Sequence, residues 1–252
     1  MTDIHCHILH EMDDGPSDIA TALRLCETAL NNGIDKIFAT PHLTAPEDID
    51  AFIRLRDEKL SELRAAMDRI GVPLEFYPGA EVLLTDAIFY SGPLNKAALN
   101  GSRYLLVEFE FSGVGFASVM KYLDEIFKMD LVPVIAHPER YSFFQRDYER
   151  VNYLYERGAR FQLNAGSLAG FGSREEYDLA HEFAYRKAAS FIGTDAHSVR
   201  NRPNDLLALL RHFPSDISQS GLDYMLNLAP AAVINDEPLP DIDAAMLKNR
   251  RR

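Results

Sequence analysis

Short apolar segments alternate with longer amphipathic ones along most of this chain, and this alternation restricts the fold more than any other feature. Seven segments are predicted to be β-strands: residues 2–8, 35–40, 73–79, 103–108, 131–136, 159–164 and 190–193. Strands separated by helices pair in parallel, because each helix returns the chain to the end of the sheet at which the previous strand began. At 252 residues the chain is long enough for one α/β barrel.

Helices are predicted between most of these strands, and capping residues mark several of their ends. Ser17 or Asp18 is the expected N-cap of the first helix, which runs to about Asn32, and Gly71 ends a long helix that begins near Glu47. The other helices are predicted at residues 116–129, 148–157, 174–189, 204–212 and 218–228. Residues 82–100 are irregular, with a break at residues 91–93. We expect one domain over residues 1–230 and a frayed C-terminal tail over residues 231–252.

The first strand carries two histidines, His5 and His7, separated by one residue. Side chains alternate between the faces of a strand, so both imidazoles point the same way while Ile4 and Cys6 point the other way. Imidazole is a common ligand of divalent metals, and two of them on one strand form the start of a metal site. Alone, the pair is equally typical of two hydrogen-bonded structural histidines.

Other ionisable residues lie at or just past the ends of later strands, and together they strengthen the metal interpretation. They are His42, Glu81, Glu108, His137, Asp195 and His197. In an α/β barrel the strand ends share one face, on which active sites are found. Each residue singly is more typical of a helix cap or a turn, but so many in equivalent places favour a site.

The side-chain types indicate which metals and which chemistry to expect. Histidine with carboxylate and no thiolate suits Zn²⁺, Mn²⁺ or Fe²⁺. Glu81 is our candidate for a carboxylate that bridges two ions, an arrangement that activates water and stabilises an in-line displacement. Arg140 and Arg202 follow two of the strand ends, with Arg200 as an alternative, and a guanidinium matches phosphate oxygens bidentately. From position alone, a surface ion pair is as good an interpretation of each arginine.

Composition excludes several classes of protein. The formal charge of −12 argues against a nucleic-acid-binding protein, and three bound divalent ions would halve it. We find neither a stretch suited to membrane insertion nor a signal peptide, and the two cysteines are too few for a disulfide framework, so we expect a cytoplasmic protein. The chain lacks the Cys-x₅-Arg pattern of cysteine phosphatases, a phosphate-binding Gly-x₄-Gly-Lys loop and a Gly-x-Ser-x-Gly nucleophile elbow.

The order and spacing of the motifs resemble the PHP (polymerase and histidinol phosphatase) superfamily, and within it the bacterial capsule-type, manganese-dependent protein-tyrosine phosphatases. The motifs that carry the resemblance are residues 3–9, 13–15, 40–42, 80–81, 107–109, 136–141, 164–168 and 195–197. The chain departs from the family pattern at His10 and Glu11, where Pro-Gly is common, and at Glu110, where proline often follows the strand. These departures raise a question about substrate specificity, and His10 is a candidate extra ligand.

The resemblance implies a distorted (β/α)₇ TIM-like barrel of the PHP type with three metal ions, usually Mn²⁺, although Fe²⁺, Zn²⁺ or Co²⁺ also fit. By motif position the implied ligands are His5, His7, Asp14, His42, Glu81, Glu108, His137, Asp195 and His197. Arg140 and Arg202 would grip the phosphate. The implied substrate is a phosphotyrosine protein, the C-terminal tail of a bacterial tyrosine kinase that controls capsular or exopolysaccharide synthesis. A homo-oligomer is compatible with the resemblance.

The expected reaction is attack of metal-activated hydroxide on phosphorus, with tyrosinate leaving. Three alternatives stay open from the sequence. The same fold could act on another phosphoester such as histidinol phosphate. An amidohydrolase also begins with His-x-His, but it often has a bridging lysine where this chain has Glu108. The third alternative is a non-catalytic, metal-stabilised binding module.

Overall fold

A computed structural model describes residues 1–44 and 48–248 of the chain. All seven predicted strands are present, and two short strands that were not predicted follow the second and third of them. Nine strands lie within these ranges: β1 Thr2–Cys6, β2 Lys36–Ala39, β3 His42–Leu43, β4 Glu75–Pro78, β5 Glu81–Leu83, β6 Tyr104–Glu108, β7 Val132–Ala136, β8 Arg160–Asn164 and β9 Phe191–Gly193.

Every strand pairing is parallel, as the alternation of strands and helices predicts. One sheet has the order β1-β2-β4 and the other the order β3-β5-β6-β7-β8-β9. Only two residues separate β2 from β3 and β4 from β5, so each pair is one strand with a bend. Backbone bonds close the circuit between β1 and the exit of β9: Asp195 N donates to His5 O at 2.8 Å, and His7 N donates to Ala196 O at 2.9 Å. With each bent pair counted as one strand, seven strands form a distorted α/β barrel, as expected.

Ten helices are assigned within the described residues. They are α1 Ile19–Asn31, α2 Ile49–Ile70, α3 Phe116–Lys128, α4 Ser142–Gln145, α5 Glu149–Glu156, α6 Ala165–Leu168, α7 Arg174–Tyr185, α8 Leu206–Leu210, α9 Gln219–Asp223 and α10 Ala229–Ile234. A π-helical segment, Tyr224–Leu228, joins α9 to α10, so the last predicted helix continues beyond its expected end. Short 3₁₀ turns at Ile88–Tyr90, Leu94–Ala97 and Leu99–Gly101 occupy about half of the irregular stretch before β6.

The ends of the first two helices follow from their capping residues. Asp18 is the N-cap of α1 and accepts a hydrogen bond from Thr21 N at 2.7 Å, which decides between the two predicted caps. Gly71 ends α2 in the left-handed conformation, with φ of 68°, as predicted. The predicted beginning of α2 at Glu47 lies outside the described residues.

The two faces of β1 differ as the alternation predicts. Ile4 and Cys6 are fully buried on one face with the apolar core, and His5 and His7 are fully buried on the other. A strand that buries imidazoles must give their nitrogens partners, because an unpaired buried polar group is costly. This requirement makes the polar face of β1 the starting point of the site. No helix in the described part of the chain has the length and apolarity needed to cross a bilayer.

The C-terminal segment differs from the frayed tail that we expected. Leu247 is buried, and Asn152 of α5 forms two hydrogen bonds with its backbone: Asn152 Nδ2 donates to Leu247 O at 3.1 Å, and Leu247 N donates to Asn152 Oδ1 at 2.8 Å. Arg103 N also donates to Asp236 Oδ1 at 2.8 Å. These contacts argue against fraying at Asp236 and Leu247, and residues 231–234 belong to α10, whereas residues 249–252, with the terminal arginines, lie outside the described residues. The domain boundary at residue 230 stays a prediction.

Candidate metal centre

The two histidines of the first motif converge, as their spacing predicts. His5 Nε2 and His7 Nε2 are 3.2 Å apart, and both side chains are fully buried. At the other edge of each ring, Nδ1 faces an oxygen acceptor: Gln162 Oε1 at 2.8 Å from His5, and Asp13 Oδ2 at 2.7 Å from His7. Because each of these oxygens can accept a hydrogen bond from an Nδ1–H group, each ring keeps Nε2 free for a metal.

Glu81 lies at the centre of the predicted ligand set, and only 1% of the residue is exposed. Its Oε2 is 3.2 Å from His5 Nε2, from His7 Nε2 and from His42 Nδ1. Its Oε1 is 2.8 Å from His137 Nε2. One carboxylate therefore faces four imidazoles from three positions of the barrel, which is the geometry that a bridging ligand needs.

Three groups of possible ligand atoms adjoin one another, and within each group all atoms lie within 4.8 Å of one another. The groups are His5, His7, Glu81 and Asp195; His42, Glu81 and Glu108; and His7, Asp14, His42 and His197. His137 is outside the three groups, but its Nε2 lies beside Glu81 and 3.9 Å from Glu108 Oε2. The structure thus brings together all nine residues that were proposed as ligands from the sequence.

Several of these atoms are buried without a hydrogen-bond partner. They include His42 Nδ1, Glu81 Oε2 and His197 Nε2, one or more of which belongs to each group. Buried polar groups in native proteins are nearly always satisfied, so orphaned nitrogen and oxygen atoms that point at one another indicate cations between them. The donor set of imidazole and carboxylate without thiolate fits Mn²⁺, Fe²⁺, Zn²⁺ or Co²⁺.

When no metal is bound, the ionisable groups of the site shift one another's pKa values. Burial opposes protonation of His5, but Glu81 and Asp195 outweigh it and raise the pKa of this imidazole to about 9. Burial likewise opposes protonation of His42, but Glu108 and Glu81 raise its pKa to about 11. Burial and the neighbouring His7 lower the pKa of His197 to about 4. His5 and His42 therefore carry protons at neutral pH when no metal is bound, and a metal that binds their nitrogens must displace those protons.

Both predicted arginines lie at the rim of this centre. Arg202 Nη2 is 2.6 Å from Asp195 Oδ2, and Arg140 Nη1 is 3.8 Å from the same oxygen. They line a cavity of about 510 Å³ together with Arg200, which forms no ion pair within the described part of the chain. A phosphate that binds at the three groups of possible ligands would lie within reach of two guanidinium groups that are already oriented towards the site.

Sequence reasoning missed three residues that support the ligands. Asp13 and Gln162 orient His7 and His5, and Asn164 Nδ2 donates to Asp195 Oδ2 at 2.8 Å. Gln162 and Asn164 share one face of β8, so a period of two on that strand was the available signal. Asp13 offered no signal beyond its position next to Asp14.

The remaining histidines lie elsewhere. His10 Nε2 is 2.9 Å from Glu62 Oε2, and His10 joins none of the ligand groups, so the suggestion of an extra ligand is not supported. His181 pairs with Asp216 at 2.9 Å, and the ring of His212 lies 5.8 Å from that of Phe171. Neither His181 nor His212 belongs to a group of possible ligands among the described residues.

A family model described as capsular polysaccharide synthesis, CpsB/CapC, matches residues 1–235. The chain belongs to this family. Among CpsB/CapC relatives, it is similar to tyrosine-protein phosphatase YwqE of Bacillus subtilis, with 32% identity over 238 residues that cover 90% of this chain and 88% of YwqE. It is also similar to tyrosine-protein phosphatase CpsB of Streptococcus pneumoniae, with 28% identity over 81% of this chain and 85% of CpsB.

Solved structures agree with the family and with the barrel. A crystal structure from the study of YwqE and CpsB as metal-dependent tyrosine phosphatases matches with a TM-score of 0.81 and 27% identity, covering 99% of this chain and 100% of that one. The phosphotriesterase homology protein of Escherichia coli matches with a TM-score of 0.57 at 10% identity, over 91% of this chain and 97% of that one. This second likeness concerns the fold alone.

Proposed function

We propose that this chain is a metal-dependent protein-tyrosine phosphatase of the capsule-synthesis type. The observation that carries the proposal is the set of three adjoining ligand groups, joined by Glu81 and His42, with two arginines beside Asp195 at their rim. Membership of the CpsB/CapC family and likeness to YwqE and CpsB support the same activity. Phosphate-ester hydrolysis needs both parts, a cation centre and fixed donors for the phosphoryl oxygens.

In this proposal the centre holds three divalent ions, and Mn²⁺ is the metal expected in the assay. The nine residues that would hold them are His5, His7, Asp14, His42, Glu81, Glu108, His137, Asp195 and His197. When bound, such ions activate water as a nucleophile and stabilise negative charge on the reacting phosphoryl group.

The protein's own residues bind and orient the substrate. Arg140 and Arg202 donate to the phosphoryl oxygens, and their contacts with Asp195 hold both guanidinium groups at the rim before substrate arrives. Gln162 and Asp13 keep His5 and His7 in the tautomer that leaves Nε2 free. A phenol leaves readily because its pKa is about 10, so the site needs no dedicated general acid on the leaving side.

We further propose that the substrate is the phosphorylated, tyrosine-rich C-terminal tail of a bacterial tyrosine kinase that controls capsular or exopolysaccharide synthesis. The family description, capsular polysaccharide synthesis, supports this choice. A cytoplasmic location and one catalytic domain over residues 1–230 belong to the same proposal. Two buried, unpaired cysteines, Cys6 and Cys26, are compatible with a reducing compartment.

The test is hydrolysis of three substrates by metal-stripped protein that has been resupplied with Mn²⁺: a phosphotyrosine peptide, the matching phosphoserine peptide and histidinol phosphate. We expect Mn²⁺-dependent turnover that strongly favours phosphotyrosine. His137→Ala should abolish this turnover and keep the fold, because the side chain faces Glu81, whereas His181→Ala, at the exposed pair with Asp216, should retain it. Turnover of histidinol phosphate alone would keep the fold but reject the tyrosine phosphatase. No turnover of any substrate with metal bound would favour a binding module.

A further inference from the structure

An exposed aromatic residue stands directly beside the proposed metal centre. Phe111 follows β6 in the chain, three residues after Glu108, and 51% of it is exposed. Its ring centroid is 4.3 Å from Cζ of Arg140 and 5.7 Å from the ring of His137. The position of this ring beside Arg140 and His137, both residues of the proposed site, makes it a candidate contact for a ligand.

Packing underneath fixes the position of this ring. Phe111 stacks on Tyr141 with ring centroids 5.4 Å apart, and Tyr141 is itself buried. The Tyr141 hydroxyl accepts a hydrogen bond from Phe109 N at 3.0 Å, which ties the segment after β6 to the segment after β7. Phe111 is therefore a preorganised surface, which recognises a partner at a lower entropic cost than a mobile side chain would.

A cavity of about 520 Å³ opens between Phe111 and the centre, and His42 and Glu108 form its inner wall. Phe109, Leu83, Glu110 and Ser112 also line it, so the cavity joins two of the proposed ligands to a wall of apolar and polar side chains. A phosphoester whose phosphoryl group sits at the ligands and Arg140 would extend its organic group along this wall.

From this geometry we propose that Phe111 recognises the aromatic ring of the substrate and so determines the preference for phosphotyrosine over alkyl phosphoesters. This inference rests on the proposed phosphatase function and adds the residue that contacts the leaving group. Ring pairs prefer offset or edge-to-face contact, which an alkyl chain of serine is too short to make. Phe111 is thus a specificity residue at the substrate, while Arg140 binds the phosphate.

A second exposed aromatic residue, Phe171, provides a matched control. It is 70% exposed and lines the cavity that contains the three arginines, but its ring lies against that of His212. His212 belongs to none of the proposed ligand groups, whereas Phe111 contacts His137 and Arg140. We therefore place the ring of the substrate at Phe111.

The test compares equilibrium binding of benzylphosphonate and methylphosphonate to the Mn²⁺-loaded full chain by calorimetry. The two compounds share a head group and differ in the ring, and neither is hydrolysed. We expect wild type to prefer benzylphosphonate, Phe111→Ala to lower that preference about tenfold, and Phe111→Leu to lower it less. Phe171→Ala should leave the preference within about twofold of wild type.

Each other outcome overturns the inference. If Phe111→Ala weakened the binding of both compounds equally, Phe111 would act only through Arg140. Loss of the preference in Phe171→Ala, with Phe111→Ala unchanged, would place the ring in the other cavity. Because binding is measured without turnover, a Phe111-dependent preference for the benzyl compound stands whether or not the phosphotyrosine peptide is hydrolysed, and the two proposals fail separately.

Discussion

Asp13 Oδ2 lies 2.7 Å from His7 Nδ1 and also accepts a hydrogen bond from His42 N at 2.9 Å. Its other oxygen, Oδ1, accepts from Gly15 N at 2.9 Å. One carboxylate therefore holds a histidine of β1, the backbone of a second proposed ligand and the loop that carries Asp14. Burial works against ionisation of Asp13, but the hydrogen bond with His7 lowers its pKa to about 2, so it stays charged at neutral pH.

Asp13→Ala should weaken Mn²⁺ binding by about 10- to 100-fold, because His7 loses the acceptor that fixes its tautomer and ring orientation. The measurement is calorimetric titration of metal-stripped protein. Asp86→Ala is the control, since Asp86 pairs with Lys121 on the exposed surface, and it should bind metal as wild type does. Unchanged metal affinity in Asp13→Ala would show that packing alone orients His7.

Gly193, the last residue of β9, passes closely behind His5. A Cβ at this position would lie 2.7 Å from His5 Cβ and 3.1 Å from both His5 N and Gln162 Nε2. Gly193→Ala should therefore cost about 1–3 kcal/mol of unfolding free energy, because the new methyl displaces a fixed strand. It should also weaken metal binding about tenfold, through His5.

Gly166→Ala is the matched control for this substitution, because nothing lies within 4 Å of a Cβ built there. Urea unfolding and metal titration of both variants decide the matter. Equal stability and metal affinity in the two variants would contradict the close approach of β9 to His5.

Strand positions and most of the proposed ligand set were predictable from the sequence because they depend on local, periodic signals, whereas Asp14 was implied only by the family resemblance. An apolar run that ends in histidine or carboxylate, as at His137 or Glu108, needs no knowledge of its partners to be recognised. The rule that parallel strand ends share a face then assembles residues as distant as His5 and Asp195.

Supporting contacts follow from three-dimensional packing and leave little local trace. Gln162 orients His5 across 157 positions of sequence, and an isolated glutamine in a strand does not indicate that role. The short strand β3 was missed because two residues are too few for any period. The tail was interpreted from its composition alone, which cannot reveal that Asn152 offers a matching pair of hydrogen bonds to Leu247.

Removing metal should lower the melting temperature by about 5–10 °C for each ion lost, because metal at 100 times its Kd stabilises the native state by about 2.7 kcal/mol per site. Differential scanning calorimetry with and without chelator measures this shift. Glu81→Ala should show a smaller shift, since Glu81 belongs to two of the three ligand groups. Identical melting temperatures of stripped and loaded wild-type protein would argue against binding at this centre.

Arg202→Ala should reduce kcat/KM for a phosphotyrosine peptide by about 10- to 100-fold, because a charged hydrogen bond to phosphate contributes about 1.5–3 kcal/mol. Arg200→Ala, in the same cavity, should change kcat/KM by less than about threefold. Since Arg202 contacts the proposed ligand Asp195, metal affinity must be measured in both variants. A loss of activity in Arg202→Ala that is fully recovered by excess Mn²⁺ would assign this arginine to the metal centre and not to the phosphate.

Asn152→Ala should destabilise the protein by about 1–3 kcal/mol, because it removes two buried hydrogen bonds and leaves the backbone N–H and C=O of Leu247 unpaired. Asn227→Ala, which removes an exposed hydrogen bond to Asp223, should change stability by less than about 0.5 kcal/mol. Urea denaturation monitored by circular dichroism gives both values, and Mn²⁺ affinity should be unchanged because Asn152 belongs to none of the ligand groups. If both variants unfold at the same urea concentration as wild type, residues 244–248 add nothing to folding, and a chain that ends at residue 243 should then be as stable as the full one. If only Asn152→Ala is destabilised, the segment is an integral part of the fold, packed against α5.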